Sequence, residues 1–341
     1  MKKFILYIAF TLALMACTRP TTNSDGMSEA LRTALAEAEQ IGEVHRIAVS
    51  SATQVGFLQA LGEADRIVGI CTPDLVYNLP DCEFVDLGPD FQLSIEQLLL
   101  CKPDILLATR YDSPMPCMEQ AEKAGIRVLY LSEWQETSPI ARTNWLRVIA
   151  KLVNQESLAD SLLNDIQQRY DSIASTASRR RKGTPDSSGG GKGLLTGQSY
   201  RGTWYMASGN SYMGQLFRDA GAEYRFSERQ ETSSIPMTIE QVMLQFGEAD
   251  IWVGVQAESL EELAAMDSNH RLFKAFQTGN VYNWNNRVTS TGGNDFWETG
   301  ILHPDYILQD LQWALGNNED SIYEPYFIKK LKGGNALRAE E

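Results

Sequence analysis

Aromatic side chains and two arginines offer most of the binding chemistry in this sequence, and they lie between the periodic segments rather than on helix faces. The first half has Tyr77, Phe91, Arg110, Tyr111 and Trp134. The second half has Tyr200, Arg201, Trp204 and Tyr205, then Trp284, Asp295, Phe296 and Trp297. Flat rings give rigid apolar contact while phenol and indole tips stay wet, which suits a macrocycle or a catechol ring. A guanidinium grips carboxylate or catecholate oxygens through two parallel hydrogen bonds, so Arg110 and Arg201 are candidates for an anionic ligand.

Catalytic and metal-binding patterns are missing. His45, His270 and His303 are scattered, and none belongs to an HExxH pair. Gly197-Gln198-Ser199-Tyr200-Arg201 has arginine where a nucleophile elbow needs its second glycine. No two cysteines form a CxxC pair, so neither a protein-held metal nor a resident cofactor is expected. Cys71 and Cys82 flank a turn-rich stretch, and the readings there are a disulfide or buried free thiols. Net charge is −14, with no basic patch interleaved with aromatics, which argues against a nucleic-acid partner.

These residues need a frame. Short apolar runs at 46–50, 67–70, 105–108 and 126–131 alternate with helical spacing, which predicts parallel strands covered on both faces. Residues 139–177 turn helical, and the helix from Glu156 to Ser175 would be roughly 30 Å long, enough for a strut. Residues 178–192 read as a flexible loop, with the basic run Arg179 to Lys182 solvated within it, and the α/β pattern resumes afterwards. An internal echo links the halves. Ser94-Ile95-Glu96-Gln97-Leu98 before Asp104-Ile105 matches Thr238-Ile239-Glu240-Gln241-Val242 before Asp250-Ile251. The expected fold is therefore α/β, two Rossmann-like lobes with mainly parallel sheets joined by a single long helix. The lobes are assigned to 46–153 and 193–332, and the connecting helix to 154–177.

The N-terminus has Lys2-Lys3, then an apolar run to Ala16, shorter than a membrane span requires. Leu14-Met15-Ala16-Cys17 resembles a bacterial lipobox. Residues 1–17 are read as a lipoprotein signal with Cys17 lipidated, and 18–45 as a tether.

Ser50 to Gly69, Ser94 to Ala108 and Ile301-Leu302-His303-Pro304-Asp305 resemble the periplasmic binding proteins of siderophore, haem and cobalamin importers. The likeness runs from about Arg46 to Leu331 and departs at 178–192 and in the ligand-facing loops. It implies a non-enzymatic, monomeric, lipid-anchored periplasmic protein. Such a protein holds a small chelate between two lobes and delivers it to the permease dimer of an ABC importer with its ATPase. It also implies that Glu96 and Glu240, one per lobe, dock onto permease arginines. Asn294 to Glu298 aligns loosely with a ligand loop of cobalamin-binding relatives, making Asp295 the leading polar candidate, although the neighbouring arginine of those relatives is absent. A corrinoid is placed slightly ahead of haem and ferric siderophores. Both arginines facing the ligand would favour a siderophore. The alternative is a surface lipoprotein enzyme acting on a tetrapyrrole or metal chelate through Glu298 or His303.

Overall fold

Four short, mainly apolar runs pair side by side because neither of their faces tolerates water, and a two-residue strand with exposed Asp86 closes one edge. They are β1 (Ile47–Val49), β2 (Ile67–Ile70), β3 (Val85–Asp86), β4 (Ile105–Thr109) and β5 (Val128–Leu131). They form one sheet ordered β3-β2-β1-β4-β5, with every pairing parallel. Alternate side chains serve opposite layers. Ile47, Val49, Ile105 and Leu107 enter one cluster, while Ala48, Leu106 and Ala108 enter the other. The structure is a computed structural model that describes residues 27–113, 115–183, 192–316 and 323–333. The expected signal segment and Cys17 lie outside the described residues, as does most of 184–192.

The second lobe has its own sheets. β6 (Leu194–Thr196), β10 (Ile251–Val255), β11 (Val281–Asn283) and β12 (Lys329–Lys330) are ordered β12-β11-β10-β6. Pairings are parallel except at the β12 edge. β7 (Ser199–Tyr200), β8 (Thr203–Met206) and β9 (Ile235–Met237) make a separate antiparallel sheet, which the sequence pattern had not indicated.

A single helix, Glu156–Gly183, joins the lobes; its 28 residues span about 42 Å at the usual rise. Ala159 and Leu163 belong to the first lobe's core, and Tyr170 to the second's. Arg169 Nε meets Asp305 Oδ2 at 2.7 Å, and the Tyr170 hydroxyl donates to Asp219 at 2.7 Å. The fold is the expected one, with differences in detail. The helix runs on to Gly183 through residues expected to be loop, because arginine and lysine are good helix formers and the glycine-rich run starts only afterwards. Residues of the expected tether form helix Glu29–Ile41, capped by Ser28, with Leu31, Ala34 and Ala38 buried in the first lobe.

Cys71 and Cys82 are both free. Cys71 packs with Leu87 and Cys101 in one layer of the first sheet, whereas Cys82 packs against the other. Thiols in opposite layers have no short path to a bond, so the disulfide reading is replaced by that of separate buried or half-buried thiols. Among the described residues, no helix is long and apolar enough to cross a membrane.

Candidate ligand cleft

Open α/β sheets bind ligands beyond the carboxyl ends of their strands. Here the two sets of strand ends meet along a seam, where the segment after β11 lies against helix Ala52–Ala60, which follows β1, and the loop after β2. Thr53 Oγ1 donates to the Trp297 carbonyl at 2.9 Å. The Glu298 carboxylate, fully buried, accepts from the backbone N–H of Tyr77 at 2.7 Å and of Asn78 at 3.1 Å. Two glycines permit this approach: a Cβ on Gly56 would stand 2.9 Å from the Glu298 carbonyl oxygen, and one on Gly293 would stand 2.5 Å from that of Val76. Burial pushes the Glu298 carboxyl up to about 7, against the opposing pull of the two N–H groups, and the nearby Asp295 charge adds to the rise.

The first-lobe wall collects four of the expected residues into one patch. The Tyr111 hydroxyl donates to Asp90 Oδ2 at 2.8 Å, next to exposed Phe91. Burial, then this carboxylate, pushes the Tyr111 phenol up to about 12, so it stays a donor. The Arg110 guanidinium stacks 4.3 Å from the Tyr130 ring, and Trp134 Nε1 donates to the Arg110 carbonyl at 2.8 Å. Beside them is a hollow of about 310 Å³, lined by Thr109, Arg110, Tyr111, Met115, Met118 and Tyr130 among others. A larger hollow, about 400 Å³, is lined only by helical residues and touches none of these loops.

On the second lobe, Tyr200 and Arg201 form an exposed turn between β7 and β8, with the guanidinium 5.1 Å from the Tyr200 ring. Trp284 stacks on Phe296 at 4.7 Å, and exposed Trp297 meets Phe296 edge-on at 4.9 Å. Tyr77 lies half-buried at the seam, beneath Arg287.

Three expected cleft residues are not on the surface. Trp204 is fully buried, stacked on Trp252 at 5.5 Å, with Nε1 donating to the Thr196 carbonyl. Strand alternation in β8 turns Trp204 inward and Tyr205 outward, so Trp204 is core. Phe296 is also core, behind Trp297. Asp295 is fully buried and paired with Arg287 at 2.6 Å, which occupies Oδ2 and leaves Oδ1 without a partner. The cation that Asp295 meets is Arg287, eight residues earlier in the chain. Val288 and Asn294 bridge antiparallel around Gly292-Gly293 and fold the chain back, a turn signal from which the pairing was readable.

Glu298 and His303, the tempting acid–base groups, hold structural positions. Glu298 ties the seam, and His303 stacks on Tyr306 at 4.5 Å with Nδ1 3.5 Å from Asp305. Neither Arg110 nor Arg201 makes an ion pair among the described residues. At the two echoed helices, the Ser94 and Thr238 hydroxyls accept from the N–H of Gln97 and Gln241, and Glu96 and Glu240 are exposed.

Two lobes with separate sheets, one connecting helix and a seam at facing strand ends describe a binding protein of the helical-strut type. Residues 47–288 match the periplasmic binding protein family, and the chain belongs to that family. An uncharacterized lipoprotein of Methanocaldococcus jannaschii is 19% identical over 287 residues, covering 79% of this chain; the chain spans 64% of that relative's length. A periplasmic heme-binding protein of Pseudomonas aeruginosa has a TM-score of 0.62 at 20% identity, over 85% of this chain and 98% of its own. A petrobactin-binding protein of Bacillus subtilis has a TM-score of 0.57 at 14% identity, over 80% and 93%. At such identities the structural likeness is one of fold.

Proposed function

We propose that this chain captures a bulky anionic metal chelate between its lobes and delivers it to the permease dimer of an ABC importer. One observation carries the reading: exposed rings stand at the strand ends of both lobes, Phe91, Tyr111 and Trp134 on one and Tyr200 and Trp297 on the other. Exposed Arg110 and Arg201, without carboxylate partners among the described residues, favour an oxygen-rich ferric siderophore over haem, and haem over a corrinoid. That reverses the order suggested by the sequence. The named ligands of the two solved neighbours, heme and petrobactin, point the same way. The rigid connecting helix and the hydrogen-bonded seam favour a small opening over a wide hinge.

Glu96 and Glu240 serve as the permease-docking carboxylates, one on each lobe's outer surface, where rim charges set orientation and association rate. Lipidation at Cys17 would hold the monomeric protein at a membrane, and a lipoprotein stands among its relatives.

The test uses soluble protein beginning after Cys17, titrated with ferric siderophores, haem and cobalamin while tryptophan fluorescence is followed. Ferric siderophore quenches the signal, and changing Arg110 and Arg201 together to Ala weakens it roughly 10- to 100-fold, the scale of lost charge-assisted hydrogen bonds. Preference for cobalamin would reject the ligand assignment. No binding of any chelate would reject the function.

A further inference from the structure

Beside each docking carboxylate stands a bare leucine. Leu100 follows Glu96 by four residues and is 66% exposed; Leu244 follows Glu240 by four and is 87% exposed. Four residues is about one helical turn, so each leucine shares a face with its glutamate. The two helices, Ile95–Cys101 and Ile239–Phe246, are structural counterparts: each has a hydroxyl cap, and each leads into a strand paired with its lobe's first strand. Exposure is selective within them. Leu98 in one, and Val242 and Phe246 in the other, are buried, and Leu99 is less exposed than Leu100, at 45%. Single bare leucines scattered over a surface are ordinary. The same acid–leucine pair at equivalent places on two duplicated helices is a pattern.

We infer that Glu96–Leu100 and Glu240–Leu244 are two copies of one docking pad, each seating its leucine in an apolar socket beside a cation on one subunit of a two-fold-symmetric permease. The inference rests on the importer reading and adds the apolar half of the contact. Charge complementarity and duplication select this partner. An acidic chain presenting an anion beside a leucine, twice, fits a surface that presents a cation beside a socket, twice. The labour divides physically: carboxylates steer encounter and respond to salt, while leucines removed from water lengthen the dwell time.

The experiment measures association and dissociation of the protein with the cognate permease–ATPase complex in lipid nanodiscs. L100S with L244S speeds dissociation tenfold or more with little change in salt dependence, each single change gives a smaller effect, and L100M with L244M restores the wild-type rate. E96A with E240A slows association and flattens its salt dependence. Unchanged chelate affinity in every variant confirms that each is folded. If wild-type protein does not bind the complex, the importer reading falls and the pads fall with it. If wild type binds and the serine variant leaves no faster, the pads alone are wrong.

Discussion

In the first lobe, five parallel strands are covered mainly by aliphatic side chains, with Phe57 and Trp145 the large rings among them; in the second, four strands and a separate antiparallel sheet enclose a stack of rings. The equivalent positions are identifiable. β4 pairs with β1 so that Leu106 lies opposite Ala48, and β10 pairs with β6 so that Trp252 lies opposite Leu195. Trp252 then stacks on Trp204, and both rings contact His270 and Phe273. Register is common to the lobes, but the volume filling each position is not. Large rings are admitted where their N–H groups find partners: Trp204 donates to the Thr196 carbonyl and Trp252 to that of Gly197, at 2.8 and 2.7 Å.

The harshest way to break this comparison is to empty the ring stack. Trp204→Ala should lower unfolding stability by about 3–5 kcal/mol and Leu106→Ala by about 2–4 kcal/mol, both read by chemical denaturation. A Trp204→Ala protein of native stability that had lost its ligand would return Trp204 to the cleft wall and undo the contrast between the cores.

Next in size is the seam where the lobes meet. Burial raises the folded-state pKa of Glu298 from 4.5 to about 7. The neutral form is thus the favoured one in the folded protein, and its contribution is fully present below the unfolded value and lost as pH rises through about 7. Across that window wild-type stability should fall by at most about 3 kcal/mol from this group. Glu298→Gln removes this group's titration, so its stability should fall less than that of wild type over the same range, the buried carboxyls of Glu133 and Asp310, also raised by burial, being common to both. Parallel curves for the two proteins would show that the seam does not take part in proton linkage.

Much of this architecture was legible in the sequence because strands buried on both faces are apolar throughout and because the echo repeats capping chemistry at fixed spacing. Ser94 and Thr238 could be named as caps before any geometry was known, and both accept the expected N–H. The antiparallel sheet was harder to read, since β7 is two residues long and β9 contains Pro236. Cleft residues were harder still. Whether an aromatic residue near a strand end faces in or out depends on a one-residue register, as Trp204 and Tyr205 show. Arg287 was not singled out, although the Gly292-Gly293 turn signal that folds it back onto Asp295 stands in the sequence.

The smallest expected effect is the sharpest probe of the duplication. Asp104 and Asp250 precede β4 and β10, and each clamps the chain entering its lobe's first strand. Asp104 Oδ2 accepts from the N–H of His45 and Arg46, both at 2.9 Å, and its own N–H donates to the Arg46 carbonyl. Asp250 Oδ2 accepts from Gly193 N–H at 2.8 Å, its own N–H donates to the Gly193 carbonyl, and Oδ1 also meets Lys274 Nζ at 2.8 Å. The His45 N–H leads in holding Asp104 below the usual carboxylate range. Burial alone would raise Asp250, but Lys274 and the Gly193 N–H more than offset it. Both contributions are therefore present above the unfolded pKa and are lost as pH falls through the folded one. Asp104→Asn and Asp250→Asn should each cost about 1 kcal/mol at neutral pH, the scale of the hydrogen bonds weakened. The Lys274 pair is half-exposed, so it should add only a few tenths of a kcal/mol to Asp250→Asn, and that increment alone should vanish in high salt. Equal costs in high salt would show one clamp used twice; a persistent gap between the two would mean that the lobes enter their sheets by different means.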